Sequence, residues 1–250
     1  MRVAVVGGTG LIGARVVRRL QDDGHDVVAA SRATGVNSFT GEGLAAALEG
    51  AHALIDVSNS SYTDERGAQE FFYGSTLNLL TYGAAAGVAH HIALSVVGTD
   101  RLAASQGGYF IAKAQQERLI RESGRPYTIV HGTQFFEFLR TIADDATHSG
   151  VAHVADVLIQ PMAADDVAAA VATSLTEAPA GDIVEHAGPD VFELGDLLRR
   201  EMTFLGDARQ VVPDPLGRYF GAEVGRRDLL PAPSARLAPT HFADWQGTAR

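Results

Sequence analysis

Residues 3–13 read VAVVGGTGLIG, and the reading of this stretch decides the fold. Val3 to Val6 form an aliphatic run suited to a buried strand, and Gly7, Gly10 and Gly13 follow where a segment of helical period begins. Glycines between a strand and a helix serve a physical purpose. Gly7 permits a tight turn, Gly10 lets backbone amides approach a pyrophosphate, and Gly13 lets the helix pack closely on the sheet. The helix N-terminus adds a preference for negative charge. Thr9, Leu11 and Ile12 share this loop and first helical turn, so they join the three glycines as expected contacts of a bound dinucleotide.

Outward from this unit, short β-branched or aliphatic runs alternate with longer segments of helical period. That pattern predicts an α/β fold, a Rossmann-type doubly wound and mainly parallel sheet with helices on both faces. The expected central strands are residues 3–6, 27–30, 54–57, 92–94 and 128–130, with a short strand at 36–38. Helices are expected near 11–23, 42–49, 66–86, 107–123 and 133–148. After Gly150 the alternation continues with a strand at 154–159, a helix at 163–176, a strand at 182–187 and a helix at 193–205. No linker rich in Pro, Gly or Ser interrupts the chain, so residues 1–250 are read as a single domain, with 151–250 contributing substrate-side elements. Five of the nine prolines fall in the final 45 residues, where irregular structure is expected.

With 30 acidic against 20 basic residues and no clustered basic face, nucleic acid is not an expected partner. The absence of cysteine excludes disulfides and thiolate metal sites. MRVAVVGGTG enters a strand directly, and no apolar run approaches the ~18 residues of a membrane span, so the expected location is the cytoplasm, with no membrane partner. Nothing in the sequence signals an oligomeric state.

The end of the second strand decides which dinucleotide fits. A carboxylate there would bond a ribose 2′-hydroxyl, whereas this chain reads DVVAASR and offers Ser31 and Arg32. A guanidinium matches a 2′-phosphate in charge and geometry, and a serine hydroxyl can donate to it, so the expected cofactor is NADP(H). Val57, Ser58 and Asn59, after the next long strand, are expected at the adenine and ribose wall.

Tyr109 and Lys113 stand four apart in YFIAK, on one face of a predicted helix. A phenol beside an ammonium is a better proton donor, because positive charge lowers its pKa. Ser95, fourteen residues upstream, ends a predicted strand at the sheet edge where ligands of doubly wound folds bind, and its hydroxyl could hydrogen-bond a substrate carbonyl.

These motifs in this order resemble the short-chain dehydrogenase/reductase superfamily, in its atypical, NmrA-like branch. GGTGLIG matches that branch's glycine fingerprint, and STLNLLTYGAAAGVAHHIALSVVG, YTIVHGTQFFEFL and IQPMAADDVAAAV resemble its later segments, covering roughly residues 1–175. The resemblance implies a catalytic set of Ser95, Tyr109 and Lys113, with Lys113 also holding the ribose, and His131, Gly132 and Thr133 near the nicotinamide. The superfamily's catalytic asparagine aligns near Phe72 and is not kept, and Val96 stands where many relatives carry a second hydroxyl. Some members of the branch bind the dinucleotide as sensors.

Phe135, Phe136 and Phe138, with Val96, are the candidate lining of a mostly apolar substrate pocket, and Tyr62, Phe39 and Phe220 are further candidates for the same cleft. The histidines show no HExxH spacing, and adjacent His90 and His91 point to opposite faces of a strand, so no metal is expected. No GxSxG elbow supports a hydrolase. Asp165 and Asp166 read as a helix start and Glu137 as a local orienting group. The expected activity is NADP(H)-dependent reduction of a carbonyl or related unsaturated group of a small molecule. The alternative is a redox sensor that binds NADP(H) without turnover.

Overall fold

Strand β1 (Arg2–Val6) is buried from Val3 onward and lies near one side of a seven-stranded sheet. The computed structural model describes residues 1–105 and 108–248; Gly107, expected in the Tyr109 helix, lies outside the described residues. The other strands are β2 (Asp26–Ala30), β3 (Ala53–Asp56), β4 (His90–Val96), β5 (Tyr127–Gly132), β6 (Ile183–Ala187) and β7 (Arg236–Leu237). Their order is β7-β6-β5-β4-β3-β1-β2 and every pairing is parallel. This is the doubly wound α/β architecture of Rossmann-type dinucleotide-binding proteins.

The period of two along the strands sorts side chains between two helical layers. Val3, Val5, Ile55, Ile92 and Val130 pack against α1 (Leu11–Asp22) and α7 (Ala164–Thr176). Ala4, Val6 and Leu54 face the other way, onto α2 (Leu44–Leu48) and α3 (Glu65–Ala85). Beside α3 lies α5 (Gly108–Glu122), preceded by a short α4 (Thr99–Ala104).

The remaining elements close one end of the sheet. Helices α6 (Leu139–Asp145), α8 (Leu194–Phe204) and α9 (Phe242–Thr248) share one apolar cluster with α3 and α5, built around Phe72, Phe110, Phe136, Leu198 and Phe242. Glu137 stitches this end together, accepting from the Ala164 amide at the start of α7 and from the Trp245 indole of α9, both at 3.0 Å.

Four expectations are corrected. Residues 36–38 form no strand: the Val36 amide donates to the Ser31 carbonyl, which folds the loop back on the end of β2. The helix expected over 133–148 is broken, because the Phe136 amide donates to the Met162 carbonyl; a 3₁₀ turn at Phe136–Phe138 precedes α6. The strand expected at 154–159 divides into Val151–Ala155, paired with Gln210–Asp214, and Leu158–Ile159, paired with Phe192–Glu193. The last 45 residues carry β7, α9 and a short hairpin rather than irregular structure alone.

Candidate cofactor and substrate cleft

The chain leaves β1 toward β2 on one side and later enters β3 on the other, so a crevice opens at the carboxyl ends of β1 and β3. The glycine loop fills it. Gly7 has φ +81°, and a methyl group there would lie 2.8 Å from the Ser58 amide nitrogen, so the loops after β1 and β3 touch. Gly8, absent from the expected set, is equally constrained, since a Cβ would sit 2.7 Å from the Val5 carbonyl oxygen. Gly10 precedes α1, Thr9 and Leu11 are exposed, and Ile12 packs inward on the core. Such a cradle, closed to any side chain and placed at a helix N-terminus, fits a pyrophosphate.

Two lobes run from this loop, of about 510 and 390 Å³, and both are walled by Gly7, Ser58 and Asn59. The larger lobe reaches Ser31 and Arg32. There the Ser31 amide donates to Thr34 Oγ1 at 2.9 Å, while the enclosed Ser31 hydroxyl donates to no acceptor among the described residues. Arg32 is exposed and makes no ion pair among the described residues. An unspent hydroxyl beside an unspent guanidinium suits a phosphate. Phe39, expected on the substrate side, lines this lobe instead, its loop held by Asn78, whose amide donates to the Ser38 and Phe39 carbonyls.

The smaller lobe is lined by Tyr109, Lys113, Val57, Val96, Phe135 and Phe138, with Tyr62, Asn59 and Ser95. The Tyr109 hydroxyl donates to Asn59 Oδ1 at 2.8 Å, and Asn59 Nδ2 donates to the Tyr62 hydroxyl at 2.9 Å. Phe138 and Phe220 pack against Tyr62 in tilted contacts, at 4.8 and 5.1 Å between ring centroids. Phe136 is not a lining residue, since it is buried against Phe242 and Trp245.

Lys113 lies along the same helix face as Tyr109 but does not reach its hydroxyl. The ammonium donates to the Leu94 carbonyl at 2.8 Å and to Gln116, and sits 4.6 Å above the ring of Phe72. Burial pushes its pKa down to about 8, against the pull of Asp56 and Glu117. The expected lowering of the phenol by this lysine is therefore corrected: burial, then the neighbouring Tyr62, holds Tyr109 well above the usual phenol range.

Ser95 reaches the wall of the lobe, yet its hydroxyl donates to Glu117. Glu117 is almost fully buried and also binds His131 Nε2 at 2.8 Å and Arg121 at 3.0 Å. Burial alone would raise the Glu117 pKa, but the bonds from His131 and Ser95 hold it below the usual value. His131 is in turn raised, since Glu117 and Glu185 outweigh its burial. His131, Gly132 and Thr133, expected beside the nicotinamide, line neither lobe: the three are buried under α5 and beside β6, with the Thr133 amide donating to the His186 carbonyl.

Gln116, Glu117 and Asp56 were not among the expected residues. Asp56 accepts from Ser58 and from Gln116 Nε2, so a buried polar strip runs beneath α5 from β3 to β5. Gln116 and Glu117 follow Lys113 by three and four positions, a spacing that marks the same helix face. Among the described residues no group of three metal-ligating side chains converges, and no helix is long and apolar enough to cross a membrane.

A family profile described as NAD(P)H-binding matches residues 7–178. The photosystem II assembly factor Ycf39 of Synechocystis is 33% identical over 111 residues, 39% of this chain and 34% of that protein. Ycf39 of Cyanophora paradoxa is 29% identical over 153 residues, 56% of this chain and 47% of that protein. The chain thus matches between a third and a half of the length of these relatives. A dTDP-glucose 4,6-dehydratase of Streptomyces venezuelae, solved with NAD bound, superposes with a TM-score of 0.69 at 18% identity, over 98% of this chain and 94% of that one. At that identity the likeness is one of fold.

Proposed function

The chain belongs to the NAD(P)H-binding family, and from that premise we propose that it is a cytoplasmic NADP(H)-dependent oxidoreductase of short-chain dehydrogenase/reductase type, NmrA-like in branch. Its substrate is a small, mostly apolar molecule with a carbonyl or related unsaturated group. One observation carries this reading: a two-lobed trough joined at Gly7 has an unspent hydroxyl and guanidinium at one end and a phenol in an aromatic cavity at the other.

The glycine loop would hold the pyrophosphate, Ser31 and Arg32 the 2′-phosphate, and Val57 to Asn59 the sugar and base between them. A bound nicotinamide supplies a hydride. Tyr109 gives the proton to the reacting oxygen, exchanging its bond to Asn59 for one to the substrate. Lys113, with two of its three ammonium protons spent on Leu94 and Gln116, keeps the third for a ribose hydroxyl. Ser95 lines the lobe but acts through Glu117, to which its hydroxyl donates.

The test is NADPH binding by fluorescence titration, followed by NADPH oxidation across a panel of aromatic aldehydes, ketones and enones. Tyr109→Phe is expected to lower turnover by about 10²-fold or more with NADPH affinity kept. Turnover unchanged by that substitution would remove Tyr109 as the acid.

A second reading is a non-catalytic NADP(H)-binding regulator. It is supported by the commitment of the Ser95 hydroxyl to Glu117 and by the assembly-factor names of the two relatives. It expects cofactor binding without oxidation of NADPH by any member of the panel.

A further inference from the structure

Four hydroxyl groups line the substrate lobe, those of Ser58, Tyr62, Ser95 and Tyr109. Three have given their protons to the protein. Ser58 donates to Asp56 at 2.6 Å, Ser95 donates to Glu117, and Tyr109 donates to Asn59. Tyr62 differs in direction: its oxygen accepts the Asn59 amide, so its own proton has no acceptor among the hydrogen bonds of the described residues.

The Tyr62 ring is held where a donor would be useful. It lies 4.3 Å from the Tyr109 ring, and Asn59 fixes the two oxygens relative to each other. Phe138 and Phe220 pack against it, so the ring cannot swing freely. Burial keeps the Tyr62 phenol above its usual pKa, although the bond from Asn59 and the neighbouring Tyr109 hydroxyl offset part of the effect, so it remains a neutral donor at physiological pH. Val96 and Val97, which follow Ser95, have no hydroxyl to offer, and Thr99 donates to the Val96 carbonyl.

We propose that Tyr62 orients and polarises the reacting oxygen of the substrate, taking the place of the strand-end serine, while Asn59 positions the phenols of Tyr62 and Tyr109 as a pair. A preorganised donor aimed at an oxygen that gains negative charge in the transition state stabilises it more than it stabilises the neutral carbonyl. Tyr62 contributes a hydrogen bond without losing its proton; the transferred proton still comes from Tyr109. This inference rests on the reductase reading of the same cavity, and it adds a group that reading does not use.

The probe is 4-(dimethylamino)cinnamaldehyde, whose absorption moves to longer wavelength when its carbonyl oxygen accepts a hydrogen bond. Bound beside NADP⁺ it cannot be reduced, so the shift reports contact without turnover. The wild-type protein is expected to shift the band, and Tyr62→Phe, which keeps the packed ring, is expected to lose at least about half of the shift while NADPH affinity stays within about twofold. Where the panel is turned over, Tyr62→Phe is expected to lower kcat by about 100-fold, the usual cost of one such donor. No shift in the wild type, a shift retained in Tyr62→Phe, or a shift lost in Ser95→Ala but kept in Tyr62→Phe overturns the proposal. A shift that depends on Tyr62 without turnover of any carbonyl removes the reductase reading and keeps Tyr62 as the oxygen-binding group.

Discussion

The α-carbon of Gly13 faces the carbonyl oxygen of Gly7 so closely that a methyl group on it would lie 2.0 Å from that oxygen. The first turn of α1 and the turn after β1 are therefore one rigid unit, and it is this contact that shapes the cradle. Gly13→Ala forces either the helix or the loop to move. The expected cost is about 1–3 kcal/mol of stability, read as a lowered urea midpoint, with loss of NADPH binding. Binding at wild-type affinity would show that the cradle does not hold the pyrophosphate.

Arg32 opens the 3₁₀ turn after β2, and its side chain makes no ion pair among the described residues, so its removal disturbs little of the fold. Arg32→Ala is expected to weaken NADP(H) by about 10- to 100-fold, the range of a charge-assisted bond to phosphate, and to leave NAD(H) nearly unchanged. Isothermal titration with both cofactors separates the two. Equal losses would mean that the guanidinium contributes only general positive charge.

Because burial lowers Lys113 to about 8, the ammonium is present below that pH and lost above it. NADPH affinity is expected to fall as pH rises through 8, whereas an unburied lysine would hold its charge until roughly pH 10.4. Lys113→Met is expected to bind more weakly at pH 7 and to flatten this dependence. A wild-type affinity constant from pH 7 to 9.5 would exclude the lysine from the binding site.

His91 supplies an acid-side prediction. It is buried on β4, its Nε2 has no partner among the described residues, and burial pushes its pKa down to about 4, against the opposing pull of Asp56. Above pH 6.5 the ring is neutral in both folded and unfolded chains. Between pH 6.5 and about 4 only the unfolded chain takes the proton, so stability falls with pH, by on the order of 3 kcal/mol across the window. Urea unfolding of the wild type and of His91→Leu at a series of pH values is expected to diverge over this range. Parallel curves would show that His91 is protonated in the folded protein.

What the sequence conveyed, and what it could not, follows from the range of the forces involved. The strand and glycine pattern of residues 3–13 is local, and it carries its own turn and helix, so the dinucleotide crevice could be read directly. Residues 36–38 could not. Val36 looks like part of a short strand, but its amide is claimed by Ser31, five residues back, and the segment never joins the sheet. In the smaller lobe, the spacing of Tyr109 and Lys113 correctly placed both on one helix and one cavity wall. Which group receives each proton was invisible, because Glu117, Asn59 and Leu94 reach Ser95, Tyr109 and Lys113 from other turns and strands. Tyr62 lies on a loop without periodic context, and only the fold brings it against Tyr109.

Since residues 36–38 stay out of the sheet, β2 is its outermost strand on that side, and the loop after it is anchored mainly to its own end and to Asn78. The segment from Ser31 to Gly43 is in effect a flap clipped to the sheet's edge: Val36 and the ring of Phe39 tack it onto the core and α3, yet it pairs with no strand, so the register of β1 does not depend on it. The two lobes of the trough are thus built from separate segments that meet only at the fixed contact of Gly7 with the loop of Ser58.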